Sequence, residues 1–260
     1  MTIDVSARTN DRLKQADLLG FFTHPGTISD YLDLVETSVK NGKIISIYYH
    51  NLHTVYVYLS EDRFKHSYFN KTVLIDGMVL LFIYRLAGYS LSRDYRVTYV
   101  EFIIPLMTLA RNNNYRVFHI GQQTADLEKA LDVIRDQVPG IEISGHHGYF
   151  DQAETSADTV AMVDMVNEFS PDILLVGLGS PNQEYWVDVN RDKLNVPVVL
   201  TCGSCMDYLA GKVNAAPRWM SRIGLEAIYR VYADPKRLAY RYIVEPVLLL
   251  KILFLNKIKK

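Results

Sequence analysis

Asp76 is a candidate general base, because it ends a short apolar run and precedes a glycine. The run from Thr72 to Asp76 (TVLID) has the composition of a buried strand, and Gly77 follows it directly. In an open α/β sheet, ligands bind just beyond the carboxyl ends of the strands. A carboxylate there can accept a proton from an attacking hydroxyl group, or it can simply cap the next helix.

A glycine-rich turn between a strand and a helix is the second candidate site. It lies in residues 176–186 (VGLGSPNQEYW) and contains Gly177 and Gly179. Ser180, the proline after it and Gln183 have the spacing of a capping box, with the proline as the first helical residue. The two glycines indicate, in addition, close approach of a backbone or a ligand. An asparagine occupies the third glycine's place in GxGxxG, so a dinucleotide site is not supported.

Two pairs of residues suggest redox or metal chemistry. Cys202 and Cys205 have the redox spacing C-x-x-C, but they follow five strand-like runs, whereas a thioredoxin motif stands early in its fold. No further pair of ligands follows at zinc-site spacing. His146 and His147 are adjacent, so their side chains are expected to point apart, and loop packing is the expected role of both. The sequence thus predicts no metal site.

The basic residues near the end of the chain could hold a diphosphate. Arg230, Arg237 and Arg241 are spaced by seven and four, which places them on one face of a continuous helix, although Pro235 could interrupt it. Guanidinium groups bind phosphate oxygens in bidentate fashion. Residues 247–260 then mix apolar side chains with lysines, which suits an anionic membrane surface or, alternatively, a docked C-terminal helix.

The elements that must position these residues alternate between strand and helix. Helical spacing is found after Thr27, in Thr124 to Val138, and in Thr155 to Phe169, where Val160, Val163 and Val166 align. The strand-like runs are Lys43 to Tyr49, Thr72 to Asp76, Arg116 to Ile120, Ile141 to Ser144, Asp172 to Gly177 and Val196 to Thr201. The alternation predicts an α/β fold, Rossmann-like, with a mostly parallel sheet and helices on both faces.

Charge divides the chain into two parts. Residues 212–260 contain eleven Lys/Arg and three Asp/Glu, a net charge of +8, which leaves −9 for residues 1–211 because the whole chain carries −1. We therefore expect an α/β catalytic domain over residues 1–211 and a basic, helical C-terminal appendage over residues 212–260.

Composition excludes several classes of protein. The chain has 260 residues, 49% hydrophobic, with two cysteines, so it is neither disordered nor a disulfide scaffold. The balanced total charge argues against a nucleic-acid partner. The beginning of the chain lacks the apolar run of a signal peptide, and residues 247–255 are too few to span a bilayer. We expect a cytoplasmic protein.

Several of these motifs together resemble the WecG/TagA/CpsF glycosyltransferases, also called glycosyltransferase family 26. They are VGLGSPNQEYW, the later AGKVNAAPRWMSRIGLEAIYRVYADPKR, and the earlier LIDG and HHGYF. The resemblance extends in consistent order over residues 43–242. It implies inverting, metal-independent and cofactor-free transfer of a hexosyl group from a UDP-sugar to a polyprenyl-diphosphate-linked saccharide. This reaction serves surface polysaccharide, capsule or teichoic acid synthesis on the inner face of the cell membrane.

The resemblance also implies roles for individual residues. Asp76 corresponds to the general base, Arg96 to the arginine that follows it, and Gln183 to a glutamine that contacts the sugar. Asp207 corresponds to the acid near the nucleotide. Asn51 and Gly179 fall in the substrate-binding motifs. Arg230 and Arg237, with Arg241 close by, correspond to appendage arginines that hold the UDP diphosphate.

Some positions depart from the family pattern and leave the donor sugar open between N-acetylmannosamine, its uronic acid and glucose. Tyr49 stands where many members have threonine, Ala227 replaces a tryptophan, and Tyr240 replaces a third appendage arginine. A catalytically silent nucleotide-sugar-binding or scaffold protein is the alternative function. A thiol oxidoreductase is a third, through the cysteine pair.

Overall fold

The computed structural model of the protein describes residues 13–18, 20–213, 220, 229, 231–232 and 235–258. Its strands are β1 (Ala16–Leu18), β2 (Phe21–Thr23), β3 (Ile45–His50), β4 (Thr72–Ile75), β5 (Arg116–Gly121), β6 (Glu142–His146), β7 (Ile173–Gly177) and β8 (Val198–Thr201). The last six form one parallel sheet in the order β4-β3-β8-β7-β5-β6. This confirms the predicted Rossmann-like α/β architecture. The six predicted strands are all present, with ends displaced by at most two residues.

Helices follow the strands and cover both faces of the sheet. They are α1 (Ile28–Lys40), α2 (Leu52–Ser60), α3 (Asp62–Ser67), α4 (Met78–Leu86), α5 (Tyr99–Asn112), α6 (Thr124–Gln137), α7 (Ala157–Phe169), α8 (Asn182–Asn190), α9 (Cys205–Leu209), α10 (Pro235–Ala239) and α11 (Glu245–Ile258). Because side chains alternate along a strand, each strand contributes to two cores. Tyr48 faces the core under α2, α3, α4, α7 and α8, whereas Ile47 and Tyr49 face the core under α1, α5, α6 and α9.

The start of α1 shows how local sequence sets these helices. Thr27 and Asp30 form a reciprocal capping box, in which the Asp30 N–H donates to Thr27 Oγ1 and the Thr27 N–H donates to Asp30 Oδ2. The helix ends at Asn41 and Gly42, and Gly42 has a φ of +62°. The start of this helix directly after Thr27 agrees with the sequence prediction.

The face that α7 buries differs from the prediction. Val163 and Val166 are buried, but Val160 is 52% exposed. The buried stripe is Thr159, Met162, Val163 and Val166, which has the i, i+3, i+4, i+7 spacing of a helix face. Val160 lies outside that stripe, so the face on which the three valines align does not coincide with the buried face.

The end of the chain is helical from Pro235 to Ile258, with a π-helical turn at Tyr240–Val244 between α10 and α11. Pro235 is the first residue of α10, a position that tolerates proline because no earlier carbonyl of the helix needs its N–H. Leu249 of α11 is buried, and α11 packs on α2. The His53 Nδ1 and Glu245 Oε2 atoms lie 2.7 Å apart and join these two helices.

None of the helices in this described part of the chain is long and apolar enough to cross a membrane. The division into a catalytic domain and a C-terminal appendage stays a prediction, since residues 214–219, 221–228, 230 and 233–234 lie outside the described residues.

The revised face of α7 can be tested by paired truncations. Val166→Ala should lower the free energy of unfolding by about 2 kcal/mol, because it removes two buried methyl groups and leaves a cavity. Val160→Ala should change it by less than about 0.5 kcal/mol, because that side chain is largely solvated. Urea unfolding of both variants measures the difference, and equal losses would contradict the assignment.

Candidate active site

A cavity of about 1150 Å³ lies at the carboxyl ends of β5, β7 and β8. Its lining includes Gln122 after β5, Gly177 at the end of β7, Gly179 after it, and Gly203 after β8. Asp207 of α9 and Arg241 of the π-helical turn also line it. Three of the predicted site residues, Gly179, Asp207 and Arg241, therefore share one cavity.

Backbone geometry explains the two glycines of the turn after β7. A Cβ atom on Gly177 would lie 2.7 Å from the carbonyl oxygen of Gly203, which is closer than real Cβ contacts. Gly179 has a φ of +80°, which favours glycine. Close approach of a second backbone thus accounts for Gly177, and chain direction accounts for Gly179.

Asp76 lies at the same edge of the sheet, immediately after β4. Its N–H donates to the His50 carbonyl oxygen at 2.8 Å, which continues the pairing of β3 with β4 by one residue. The N-cap of α4 is Gly77, which makes no side-chain capping bond, so Asp76 does not occupy the cap position. Because neighbouring strands lie about 4.8 Å apart and β3 separates β4 from β8, the ends of β4 and β8 are about 10 Å apart.

Arg96 is held beside the end of β4. An isolated parallel bridge pairs it with Ile75, and the Val97 N–H donates to the Ile75 carbonyl oxygen at 2.9 Å. Its guanidinium Nη2 donates to Glu101 Oε2 at 2.8 Å, and only 4% of the side chain is exposed. The backbone of this buried arginine therefore pairs with the residue that directly precedes Asp76.

Tyr49 connects the Asp76 region with the cavity. Its hydroxyl group accepts a hydrogen bond from Gln183 Nε2 at 3.2 Å. A Cβ atom on Gly203 would lie 3.1 Å from the same hydroxyl. Burial raises the pKa of Tyr49 well above its usual value, and the carboxylates of Glu184 and Asp76 add to this effect. Tyr49 thus stays protonated between the two regions.

Gln183 is fully buried beneath the cavity rather than on its surface. Its Nε2 group donates to Tyr49 Oη and, at 2.8 Å, to Glu184 Oε1, while its Oε1 accepts from the Gly203 N–H at 3.0 Å. Both amide N–H groups are used in these bonds. A direct contact between Gln183 and a sugar stays a prediction and would require one of these bonds to be exchanged.

The capping box predicted at Ser180 is wrong. Helix α8 begins at Asn182, its N-cap is Pro181, and no side-chain capping bond is present. The reason is that the Gln183 amide bonds to its neighbour Glu184 and, through tertiary hydrogen bonds, to Tyr49 and Gly203, instead of reaching back to the backbone of Ser180.

Asn51 acts as the N-cap of α2. Its side-chain oxygen accepts from the Thr54 N–H at 3.1 Å, and Thr54 Oγ1 accepts from the Asn51 N–H at 2.8 Å. The sequence signal for this reciprocal cap is N-x-x-T. Its position at the carboxyl end of β3, next to Asp76, still suits a substrate contact through the side-chain NH₂ group, and this role stays a prediction.

Of the three appendage arginines, Arg241 is the one whose side chain the structure describes. It lines the cavity, and its charge acts on Glu184, Tyr49 and His53. Arg237 lies in α10, and its side chain is outside the described part. Arg230 lies outside the described residues altogether. Pro235 precedes both Arg237 and Arg241, and the predicted continuity of this helix back to Arg230 lies outside the described residues.

The functional groups that sequence analysis missed are Glu184 and the pair of His53 with Glu245. Glu184 is fully buried, and burial raises its pKa to about 7. In the sequence, its signal was a carboxylate placed between Gln183 and Trp186, two side chains that α8 also buries. No local pattern relates His53 to Glu245, which are 192 positions apart.

The cysteine and histidine pairs show no redox or metal geometry. Cys202 and Cys205 are free and buried, and burial raises the pKa of Cys202, which is the opposite of a reactive thiol. The rings of His146 and His147 lie 4.1 Å apart, so the expectation that they point apart was wrong. Among the described residues, no group of three or more His, Cys, Asp or Glu side chains could hold a metal ion.

Similarity to known families agrees with this geometry. The model of the glycosyl transferase WecG/TagA/CpsF family matches residues 16–260. The chain belongs to this family.

Similar family members include proteins from Staphylococcus aureus strains NCTC 8325 and MRSA252. Each is named N-acetylglucosaminyldiphosphoundecaprenol N-acetyl-beta-D-mannosaminyltransferase and is 29% identical over 144 residues. The match covers 55% of this chain and 55% of each relative, so the chain spans about half the length of the curated relatives it matches.

The burial of the cysteine pair in this family member predicts slow thiol chemistry. The two cysteines are the only ones in the chain, so a thiol reagent reports on them alone. In the folded protein neither should react with Ellman's reagent over minutes at pH 8, whereas both should react at once in guanidinium chloride. Rapid labelling of the folded protein would contradict this and would favour a redox function.

Proposed function

We propose that the protein is an inverting, metal-independent glycosyltransferase that moves a hexosyl group from a UDP-sugar to a saccharide carried on a polyprenyl diphosphate. The observation that carries this proposal is the placement of Asp76 at the same sheet edge as the cavity that contains Asp207 and Arg241. Membership of the family supports it. The pathway would be the assembly of a bacterial surface polysaccharide or teichoic acid.

In this reaction Asp76 would act as the general base. A single inverting displacement needs one group that removes the proton of the acceptor hydroxyl as that oxygen attacks the anomeric carbon. The carboxylate stands at the end of an edge strand, about two strand spacings from the cavity. A nucleotide in the cavity could therefore extend its sugar toward Asp76 across the ends of β8 and β3.

The leaving diphosphate would be stabilised by arginines rather than by a metal ion. Arg241 already lines the cavity, and family resemblance adds Arg230 and Arg237. Guanidinium groups aimed at the leaving oxygens would offset the negative charge that develops in the transition state. Asp207, which also lines the cavity, would contact the nucleoside.

The proposed acceptor rests on the relatives. Their name describes an acceptor with N-acetylglucosamine on a polyprenyl diphosphate and the transfer of N-acetylmannosamine to it. We propose the same class of lipid-linked acceptor here. The donor sugar stays open between N-acetylmannosamine, its uronic acid and glucose.

An enzyme with a lipid-linked acceptor would act at the cytoplasmic membrane surface. Helix α11 offers a surface for peripheral contact with that membrane. Leu249 and Glu245 are buried on the side of α11 that faces the protein, whereas Val247 and Leu250 are each about two-thirds exposed. Lys251 is also exposed. An exposed apolar face beside a lysine suits the interface of an anionic membrane, so docking on α2 and membrane contact use different sides of one helix.

Replacement of the base tests the proposed reaction. Asp76→Asn should lower acceptor-dependent UDP release by about 100-fold or more, because the amide keeps the shape but accepts no proton. UDP affinity should be retained. The assay uses detergent, a panel of UDP-hexoses and a short polyprenyl-diphosphate-linked N-acetylglucosamine. Asp94→Asn, a change at an exposed carboxylate nearby, is the control.

An unimpaired Asp76→Asn variant would remove Asp76 from the mechanism. If the wild-type protein binds UDP but releases none from any donor, the silent binding protein becomes the better description.

Membrane contact through α11 can be tested on vesicles. The double variant Val247→Ser and Leu250→Ser should bind anionic phospholipid vesicles at least severalfold more weakly than wild type, because the apolar area that enters the interface is lost. The matched control is Val160→Ser with Met165→Ser, which removes two exposed apolar side chains from α7. Equal vesicle binding by both double variants would exclude α11 as the contact.

A further inference from the structure

The amide of Gln183 ties together three segments at the carboxyl edge of the sheet. Its two N–H groups donate to Tyr49 Oη on β3 and to Glu184 Oε1 on α8. Its oxygen accepts from the Gly203 N–H in the turn after β8. Since Gly203 lines the cavity and Gln183 does not, the amide supports the cavity floor from below.

Glu184 is the only one of these partners that carries a charge. The side chain is fully buried, and its carboxylate interacts with the Gln183 amide and with the Ser180 hydroxyl group. Its backbone carbonyl oxygen accepts from Tyr48 Oη at 3.4 Å. A fully buried carboxylate is costly to fold, which is a reason to look for a function.

We propose that Glu184 is a positioning residue for the transfer reaction, because its carboxylate fixes the orientation of the Gln183 amide and thereby the Gly203 turn at the cavity floor. The inference rests on the proposed function.

The donors and acceptors around Gln183 allow a single orientation of its side-chain amide. An ionised carboxylate only accepts hydrogen bonds, so the NH₂ end of Gln183 must face Glu184. The oxygen end is then directed to the Gly203 N–H. If the amide were reversed, its oxygen would face the carboxylate and its NH₂ group would face another donor. Glu184 and Gly203 thus specify a single orientation together.

The charge of Glu184 also acts on the cavity wall. Among the described residues, the titratable groups that interact with it are Tyr48 and Tyr49 of β3, Tyr68 after α3, Tyr185 of α8 and Arg241 of the π-helical turn, and Ser180 adds a hydroxyl group. The tyrosines stay neutral because burial raises their pKa values, so Arg241 supplies the positive charge. Above its pKa of about 7, which burial has raised, Glu184 is ionised and attracts Arg241.

Glu184→Gln tests the proposal through its pH dependence. In acceptor-dependent UDP release, the variant should show a kcat/KM for the donor about tenfold or more below wild type at pH 8, where the wild-type carboxylate is ionised. The difference in kcat/KM between the variant and wild type should be smaller at pH 6, where Glu184 is protonated in the wild type. Glu168→Gln, at an exposed position on α7, should match wild type at both values.

A second background separates positioning from a general loss of structure. In the Gln183→Met background, which has no amide to orient, Glu184→Gln should change kcat/KM by less than about twofold. Circular dichroism and UDP binding check that each variant is folded.

Equal pH profiles for wild type and Glu184→Gln would overturn the proposal, as would the same tenfold loss in both backgrounds. Absence of transfer by the wild-type protein would instead mean that the proposed function fails. In that case UDP affinity, measured at both pH values in wild type and Glu184→Gln, tests the positioning role by the same comparison.

Discussion

The parallel pairing of six strands is the constraint on which the site depends, because it brings every carboxyl end to one edge. Asp76 after β4 and the glycine turns after β7 and β8 are far apart in sequence, yet the strand order places them a few strand spacings apart. Gln183 then bonds to Tyr49 and to Gly203, and so links the strand beside Asp76 to the floor of the cavity. Substitution of Gln183 should therefore affect the positions of residues along the whole carboxyl edge of the sheet.

Much of the fold could be predicted from sequence because its signals are local. Buried parallel strands give short β-branched runs, and α1 has a complete cap at Thr27. Other elements lacked such signals. The hairpin of β1 and β2 has three residues in each strand, and α5 contains Pro105 in its interior, which argues against a helix by local rules alone. The buried face of α7 was assigned from spaced valines, while Thr159 and Met162 completed the true stripe.

The site was predictable where a residue's place in the topology decides its position. Asp76 directly follows β4, Gly179 lies in the turn after β7, and Asp207 lies in α9 just after β8, so the sheet brings them to one edge. Tertiary hydrogen bonds were not predictable. Gln183 has the spacing of a capping residue, but the acceptor and donor that it uses come from β3 and from the turn after β8. The raised pKa of Glu184 likewise could not be predicted from sequence, because it depends on the burial of the side chain.

In the proposed complex a UDP-sugar binds at the carboxyl edge, with its diphosphate beside Arg241 and its sugar directed toward Asp76. The most direct test is a crystal structure of the protein with bound UDP. We expect the nucleotide in the cavity between Asp207 and Arg241, with the terminal phosphate toward the ends of β8 and β3. A nucleotide bound at the opposite edge of the sheet, or away from this cavity, would contradict the proposed function.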